Sequence, residues 1–298
     1  MSAVAVKRGV RARVGSIIVR LAGGLGNQLF QIAAAQHFRA RGGDRIALST
    51  ASLAKYATVR SFDAPLVLDL PGWFRAIDGS SHWDRFLTPI VESRVGRWSP
   101  WRGVSDRNFA RVVGRDDAAM NGPLWLDGYF QNEWTHDTFE RVRREMLDWV
   151  RPAVRDSRGA SADCVVHIRG GDFLKSKRHH VLTHAFYESA MYAMRRHIGT
   201  SMRWVCMTDD TDHAAGIIEH LCNAGFRGGF EGYAGSGDLV NDFGMLRNTC
   251  NRIVGNSTFA WWARALDDRS SFTLSPSRWS VQGGRPPLLE GETCLETC

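Results

Sequence analysis

Short apolar runs alternate along this chain with segments whose apolar residues recur at the helical period. The run SIIVRL (16–21), aliphatic at Ile17, Ile18, Val19 and Leu21, reads as a buried strand. Three glycines follow it, and then a segment in which Leu29, Ile32, Ala33 and Gln36 share one face, which predicts a helix over 27–41 opened by Asn27. RIALST (45–50) reads as a second strand. From 61 to 123 the chain is dense in Trp, Phe, Arg and Pro and shows no readable period. A helix is predicted near 137–150, where Phe139, Val142, Met146 and Trp149 keep one face apolar, and the polar stretch 151–163, with Pro152 and Gly159, reads as a linker.

The second half repeats the alternation more cleanly. Strand CVVHI (164–168) leads to a helix over 184–198, strand RWVCMT (203–208) to a helix over 211–223, and a further helix is predicted over 239–250. Strand RIVG (252–255) then enters a helix over 258–267, and SFTLS (271–275) closes the series. Repeated β-α units imply parallel sheets covered on both faces. The expectation is an α/β chain of two Rossmann-like domains facing a cleft, 1–155 and 156–298. Ligands of such sheets bind beyond the carboxyl ends of the strands, so the chemistry should lie just after each strand.

Composition narrows this picture. At 298 residues, 44% hydrophobic and 23% charged, the chain has enough apolar material for two cores and no tract that reads as disordered. Eleven Trp residues are many; most serve as core filler, and sugar-handling clefts use the same flat faces. The net charge of +7 attracts polyanions, yet no nucleic-acid module is present, so nucleic acid ranks last among partners. The basic start, with Lys7, Arg8, Arg11 and Arg13, leaves no apolar core for a secretory signal. It reads equally as a contact with an anionic membrane or as a solubilising extension. The cysteines are scattered, which points to a reducing cytoplasm, with the pairing of Cys294 and Cys298 left open.

The uncharged stretch LAGGLGNQLFQIAAAQHF (21–38) is no membrane span, because Asn27, Gln28, Gln31, Gln36 and His37 would be expensive in hydrocarbon. A dinucleotide fingerprint fails as well: Leu29 stands where a third glycine is required, and no acid ends the second strand. A tight turn that lets a helix pack closely accounts for Gly23, Gly24 and Gly26. It leaves the amides of Asn27 and Gln28 at the helix entrance unexplained.

Three strand ends in the second half carry candidate chemistry. CVVHI runs into RGGDF, where Arg169 offers a fork of donors to phosphate oxygens, with His167 and Asp172 beside it. WVCM ends in TDDTD, where Thr208, Asp209 and Asp210 can serve a ribose or a guanine, or cap the next helix; Asp210 and Asp212 can alternatively hold a divalent metal. RIVG ends in NSTFAWW, where Asn256, Ser257, Thr258 and Phe259 open a helix whose free N–H groups suit a phosphate. An arginine turn, an acid pair and a helix N-terminus together describe a pocket for a nucleotide diphosphate.

These segments resemble glycosyltransferase family 11, the α-1,2-fucosyltransferases, in the bacterial form. The resemblance rests on GGLGNQLFQ (23–31), LDGYFQNEWT (126–135), HIRGGDF (167–173), TDD (208–210) and NSTFAWW (256–262), in family order and across nearly the whole chain. It implies a GT-B-like fold, GDP-fucose as donor substrate, inversion at the anomeric carbon, and no metal or other cofactor. It also implies that Arg169 stabilises the leaving phosphate, that the other strand-end residues hold the donor, and that Asn27 and Gln28 meet the acceptor sugar or the donor's outer edge. The implied partners are a nucleotide sugar and a galactose-terminated oligosaccharide, free or lipid-linked, with the enzyme cytoplasmic or peripheral on the inner membrane face. Asp127, Asp172 and Asp242 are the candidates for a general base. One departure stands out: Gly170 occupies the place of the family's second arginine. The competing readings are a metal-dependent glycosyltransferase using Asp210 and Asp212, and a non-catalytic carbohydrate-binding protein.

Overall fold

A computed structural model describes residues 14–43, 45–55, 59–78, 102–113, 122–175, 180–281 and 284–297. The basic arm with Lys7, Arg8, Arg11 and Arg13 lies outside these residues, as do segment 79–101 and Cys298. The chain divides into two compact units, one of residues 1–23, 30–61 and 71–130, the other of 24–29, 62–70 and 131–298.

In the first unit, strands β1 (Val14–Arg20), β2 (Ile46–Ser49), β3 (Phe74–Ile77), β4 (Arg102–Val104) and β5 (Gly122–Leu126) form a parallel sheet in the order β3-β2-β1-β5-β4. Helix α1 (Leu25–Arg39) follows β1, and its first turn, through Leu29, groups with the second unit. From Phe30 to Phe38 it is buried on every side. Alanines 33–35 favour the helix and keep its surface thin enough for that. Full burial makes its polar side chains obligatory hydrogen-bonders. Gln31 takes the Ala22 N–H at 3.1 Å and donates to the Gly128 carbonyl at 2.9 Å, and Gln36 accepts from the Trp73 indole at 3.2 Å.

The second unit holds helix α2 (His136–Leu147) and a six-stranded sheet of β6 (Cys164–Ile168), β7 (Trp204–Thr208), β8 (Phe230–Tyr233), β9 (Asn251–Val254), β10 (Phe272–Pro276) and β11 (Glu292–Leu295). The order is β11-β10-β9-β6-β7-β8, with every pair parallel. The order runs outward from β6 in one direction and from β9 in the other, so the topological switch point lies between them. Helices α3 (His184–Ile198), α4 (Thr211–Leu221), α5 (Leu239–Asn248) and α6 (Thr258–Ala265) complete the unit. Its core gathers Val166 and Ile168 of β6, Tyr187, Met191 and Met194 of α3, Trp204 of β7 and Ile217 of α4.

A buried ion pair anchors β9. Arg252 and Asp267 are both fully buried, 2.7 Å apart, and Asp267 also accepts from Arg269 at 2.9 Å. Burial pulls the Arg252 guanidinium down to about 10 against the opposing pull of Asp267. Burial alone would raise the Asp267 carboxyl, but hydrogen bonds and charge from Arg269 and Arg252 hold it below its usual range.

The predicted strands and helices form close to their expected bounds. The exceptions are short strands with weak apolar pattern: β3, β4 and β5 within or beside the unreadable stretch, and the edge strands β8 and β11, whose residues are mostly half-buried or exposed. The stretch read as a linker, 151–163, is instead pinned to the second unit. The Asn248 side chain donates to the carbonyls of Val154, Arg155 and Ser157, and Thr249 accepts from Ala160 N–H. Its main-chain groups are held by a neighbouring helix end. No helix among the described residues is long and apolar enough to cross a membrane.

Candidate active site

The register of the second sheet lines up the three strand ends singled out in the sequence. His167 pairs with Val254 across β6 and β9, and Ile168 pairs with Thr208 across β6 and β7. Arg169, Asp209 and Asn256 therefore leave the sheet side by side, flanking its switch point.

The end of β7 grips the end of β6. Arg169 forms an ion pair with Asp209 and lies 5.8 Å from the Phe173 ring centroid. Asp209 also accepts from Gly170 N–H, and Asp210 from Gly171 N–H, each at 2.9 Å. The other oxygen of Asp210 caps α4 by accepting from His213 N–H at 3.0 Å, while Thr208 Oγ1 accepts from Asp210 N–H at 3.0 Å. These backbone donors, His213 and Gly171 first, hold the Asp210 carboxyl below its usual range. The acid pair thus shapes the arginine turn from beneath. Among the described residues no three His, Cys, Asp or Glu side chains gather to hold a metal ion.

That grip also accounts for Gly170. A Cβ at this position would lie 2.5 Å from Asp210 Cβ, so a second arginine does not fit the turn as it is built. Gly171 adopts φ +57° beside it, a conformation that glycine reaches without penalty.

His167 is buried beneath Arg169, and its Nδ1 has no hydrogen-bond partner among the described residues. Burial, and then the charge of Arg169, lower its pKa to about 4. At neutral pH it is an uncharged imidazole with an unused polar atom. The side chain of Asp172 lies outside the described residues.

The end of β9 is organised by side chains that face the protein. Asn256 is buried and its amide donates to the carbonyls of His180 at 2.5 Å and Trp279 at 3.1 Å, tying two loops together. Ser257 caps α6 by accepting from Ala260 N–H at 3.4 Å, and Phe259 meets Phe243 edge-on with centroids 5.3 Å apart. Thr258 donates to Asn27 Oδ1 at 3.3 Å, and the same oxygen accepts from Gln131 at 2.8 Å. Gly26 lies so close to this helix entrance that a Cβ on it would stand 2.6 Å from Phe259 N and 2.5 Å from Thr258 Oγ1.

The amides at the entrance of α1 are thereby placed. Asn27 joins α1 to α6 and to Gln131, and Gln28 is buried and accepts from the N–H groups of Asp63 and Ala64 at 2.9 and 3.2 Å. Gln131 escaped the sequence reading as a site residue, although it lies within LDGYFQNEWT. Of the carboxylates considered as a base, Asp242 accepts from Ser236 N–H at 2.6 Å and Ser236 Oγ at 3.0 Å. Asp127 lies in the first unit, paired with Arg20 at 3.1 Å.

Three comparisons bear on this arrangement. The sequence profile of glycosyl transferase family 11 matches residues 107–283, more than half of the chain. An alpha-1,2-colitosyltransferase of Escherichia coli is 21% identical over 282 residues, which are 88% of this chain and 92% of that protein. Among solved structures, NodZ alpha-1,6-fucosyltransferase soaked with GDP-fucose superposes with a TM-score of 0.50 at 14% identity, covering 88% of this chain and 95% of NodZ. A second structure, fucosyltransferase NodZ from Bradyrhizobium, gives 0.49 at 12% identity, covering 86% and 93%. The likeness to NodZ is one of fold, a GT-B-like pair of parallel α/β units. With the family signature spanning the arginine turn, the acid pair and the α6 entrance alike, the chain belongs to glycosyl transferase family 11.

Proposed function

We propose that this glycosyltransferase moves L-fucose from GDP-fucose to the 2-hydroxyl of a terminal β-galactoside, with inversion and without a metal ion. The observation that carries the reading is Arg169, held at the switch point by Asp209 beside the N-terminus of α6. A direct displacement expels a diphosphate, and charge grows on its outer phosphate as the glycosidic bond breaks. Arg169 and the first amides of α6 supply fixed donors for that charge. His167, neutral and with no partner for its Nδ1 among the described residues, lies on the same strand end without adding charge. The E. coli relative's name supports the α-1,2 linkage, and NodZ's soak with GDP-fucose supports the donor. A colitosyl donor is the second reading, favoured by that same relative's name.

The test is incubation of the purified enzyme with GDP-fucose and a panel of β-galactosides, with mass and linkage analysis of the products. A product heavier by one fucosyl residue on galactose O2, formed equally well in EDTA, is the expected result. A different linkage, or activity lost in EDTA and restored by manganese, overturns it. Failure to bind GDP by calorimetry would instead support a carbohydrate-binding protein.

A further inference from the structure

The carboxyl ends of the first sheet carry a cluster of which only Asp127 has been given a candidate role above, as a general base. The strand order of that sheet also reverses beside β1, between β1 and β5. Val19 pairs with Leu126 there, so Arg20 and Asp127 leave the two strands as neighbours. Arg20 Nη1 donates to Asp127 Oδ1 at 3.1 Å, and Arg20 Nε donates to Ser52 Oγ, just beyond β2, at 2.7 Å. Three strand ends again converge. Asp127 Oδ2 and Arg20 Nη2 have no hydrogen-bond partner among the described residues, and the side chains stay 48% and 36% exposed.

The loop that carries Asp127 is built with unusual care. Asp106 accepts from Tyr129 N–H at 3.0 Å and from Phe130 N–H at 2.6 Å. Gln31 ties the Gly128 carbonyl to the Ala22 N–H. Phe130 is held at φ +53°, a strained position for a residue with a side chain, and its ring is buried against Phe109. An exposed Arg-Asp pair adds little to stability, so a clamp of this kind calls for another reason.

We propose that Arg20, Asp127 and Ser52 form a binding site for a pyranose, taking adjacent hydroxyls of the acceptor glycoside. A sugar hydroxyl is at once a donor and an acceptor. Asp127 Oδ2 accepts the proton of one hydroxyl, Arg20 Nη2 donates to the oxygen of its neighbour, and Ser52 keeps the guanidinium in the plane of the pair. The inference rests on the glycosyltransferase reading and adds the acceptor subsite to it.

The test uses saturation-transfer NMR with methyl β-galactopyranoside on the full chain, and calorimetry with GDP on the same samples. Wild-type enzyme is expected to transfer saturation to the galactoside. Asp127→Asn and Arg20→Met should each reduce that signal at least tenfold, and Ser52→Ala less, with GDP affinity within twofold of wild type as proof of an intact fold. No transfer to wild type, or transfer that survives both Asp127→Asn and Arg20→Met, overturns the site. GDP affinity lost in the wild type itself would defeat the donor reading while leaving this site to be judged by NMR.

Discussion

Each unit has an arginine at or just past the end of its first strand and sets a carboxylate against it from beyond a neighbouring strand, yet the two pairs differ in what surrounds them. Arg169 is paired with Asp209 over a glycine turn whose amides the acid pair takes up, and beside it stand an uncharged imidazole and, across the switch point, the opening of α6. Arg20 is flanked by acceptors, the open oxygen of Asp127 and the hydroxyl of Ser52, and across its switch point stands a clamped loop in place of a helix entrance. Convergent donors suit an anion, whereas a mixed set of donor and acceptor suits hydroxyl groups. In the proposed roles, similar topology serves opposite preferences, set by a few residues past the strand ends.

The largest effect should come from the strand that carries the second unit's switch point. Asp267→Asn leaves Arg252 buried without its counter-charge, which costs about 3–5 kcal/mol. Urea denaturation should show this loss. A change under 1 kcal/mol would mean that β9 is anchored by packing alone, and the contrast with the exposed Arg20 pair would lose its energetic side.

Arg169→Lys keeps the charge but not the planar fork, and should raise the barrier by about 3–4 kcal/mol. Turnover of GDP-fucose measures it. A variant within threefold of wild type would remove Arg169 from leaving-group stabilisation and make the two pairs equivalent.

The second unit carries a pH dependence. His167 is held neutral, with its pKa lowered from 6.5 to about 4 by burial and by Arg169. The unfolded chain takes up this proton first, so the stability contribution is complete above pH 6.5 and drains away as pH falls to about 4, by roughly 3 kcal/mol in all. His167→Gln should flatten the stability curve across that window. A curve of unchanged slope would show that His167 titrates normally, and with it that the ground around Arg169 is wet.

The alternation of apolar runs made β1 and β2 of the first sheet and β6, β7, β9 and β10 of the second legible, along with the three strand ends of the second. Where a strand is buried on both faces, as CVVHI is, burial leaves a short run without polar alternation. The strands that escaped notice are short or lie at an edge, like FEGY at β8, where half-exposure removes the apolar signal. The acid pair was legible as chemistry, and so was the capping of α4 that Asp210 performs, but not its hold on the arginine turn, because TDD says nothing of the Gly170 and Gly171 amides that meet it. The Asp106 clamp was invisible for a similar reason: its acceptors and donors lie more than twenty positions apart, and the donors are backbone.

Gly26 leaves a constraint on how this chain can vary. A Cβ there would collide with main-chain atoms of Thr258 and Phe259 as well as with the Thr258 hydroxyl. A smaller residue at 258 would clear the hydroxyl and leave the main chain where it is. The glycine thus has no compensating partner: two signatures more than two hundred positions apart are joined at a point where neither side can be mutated to forgive the other.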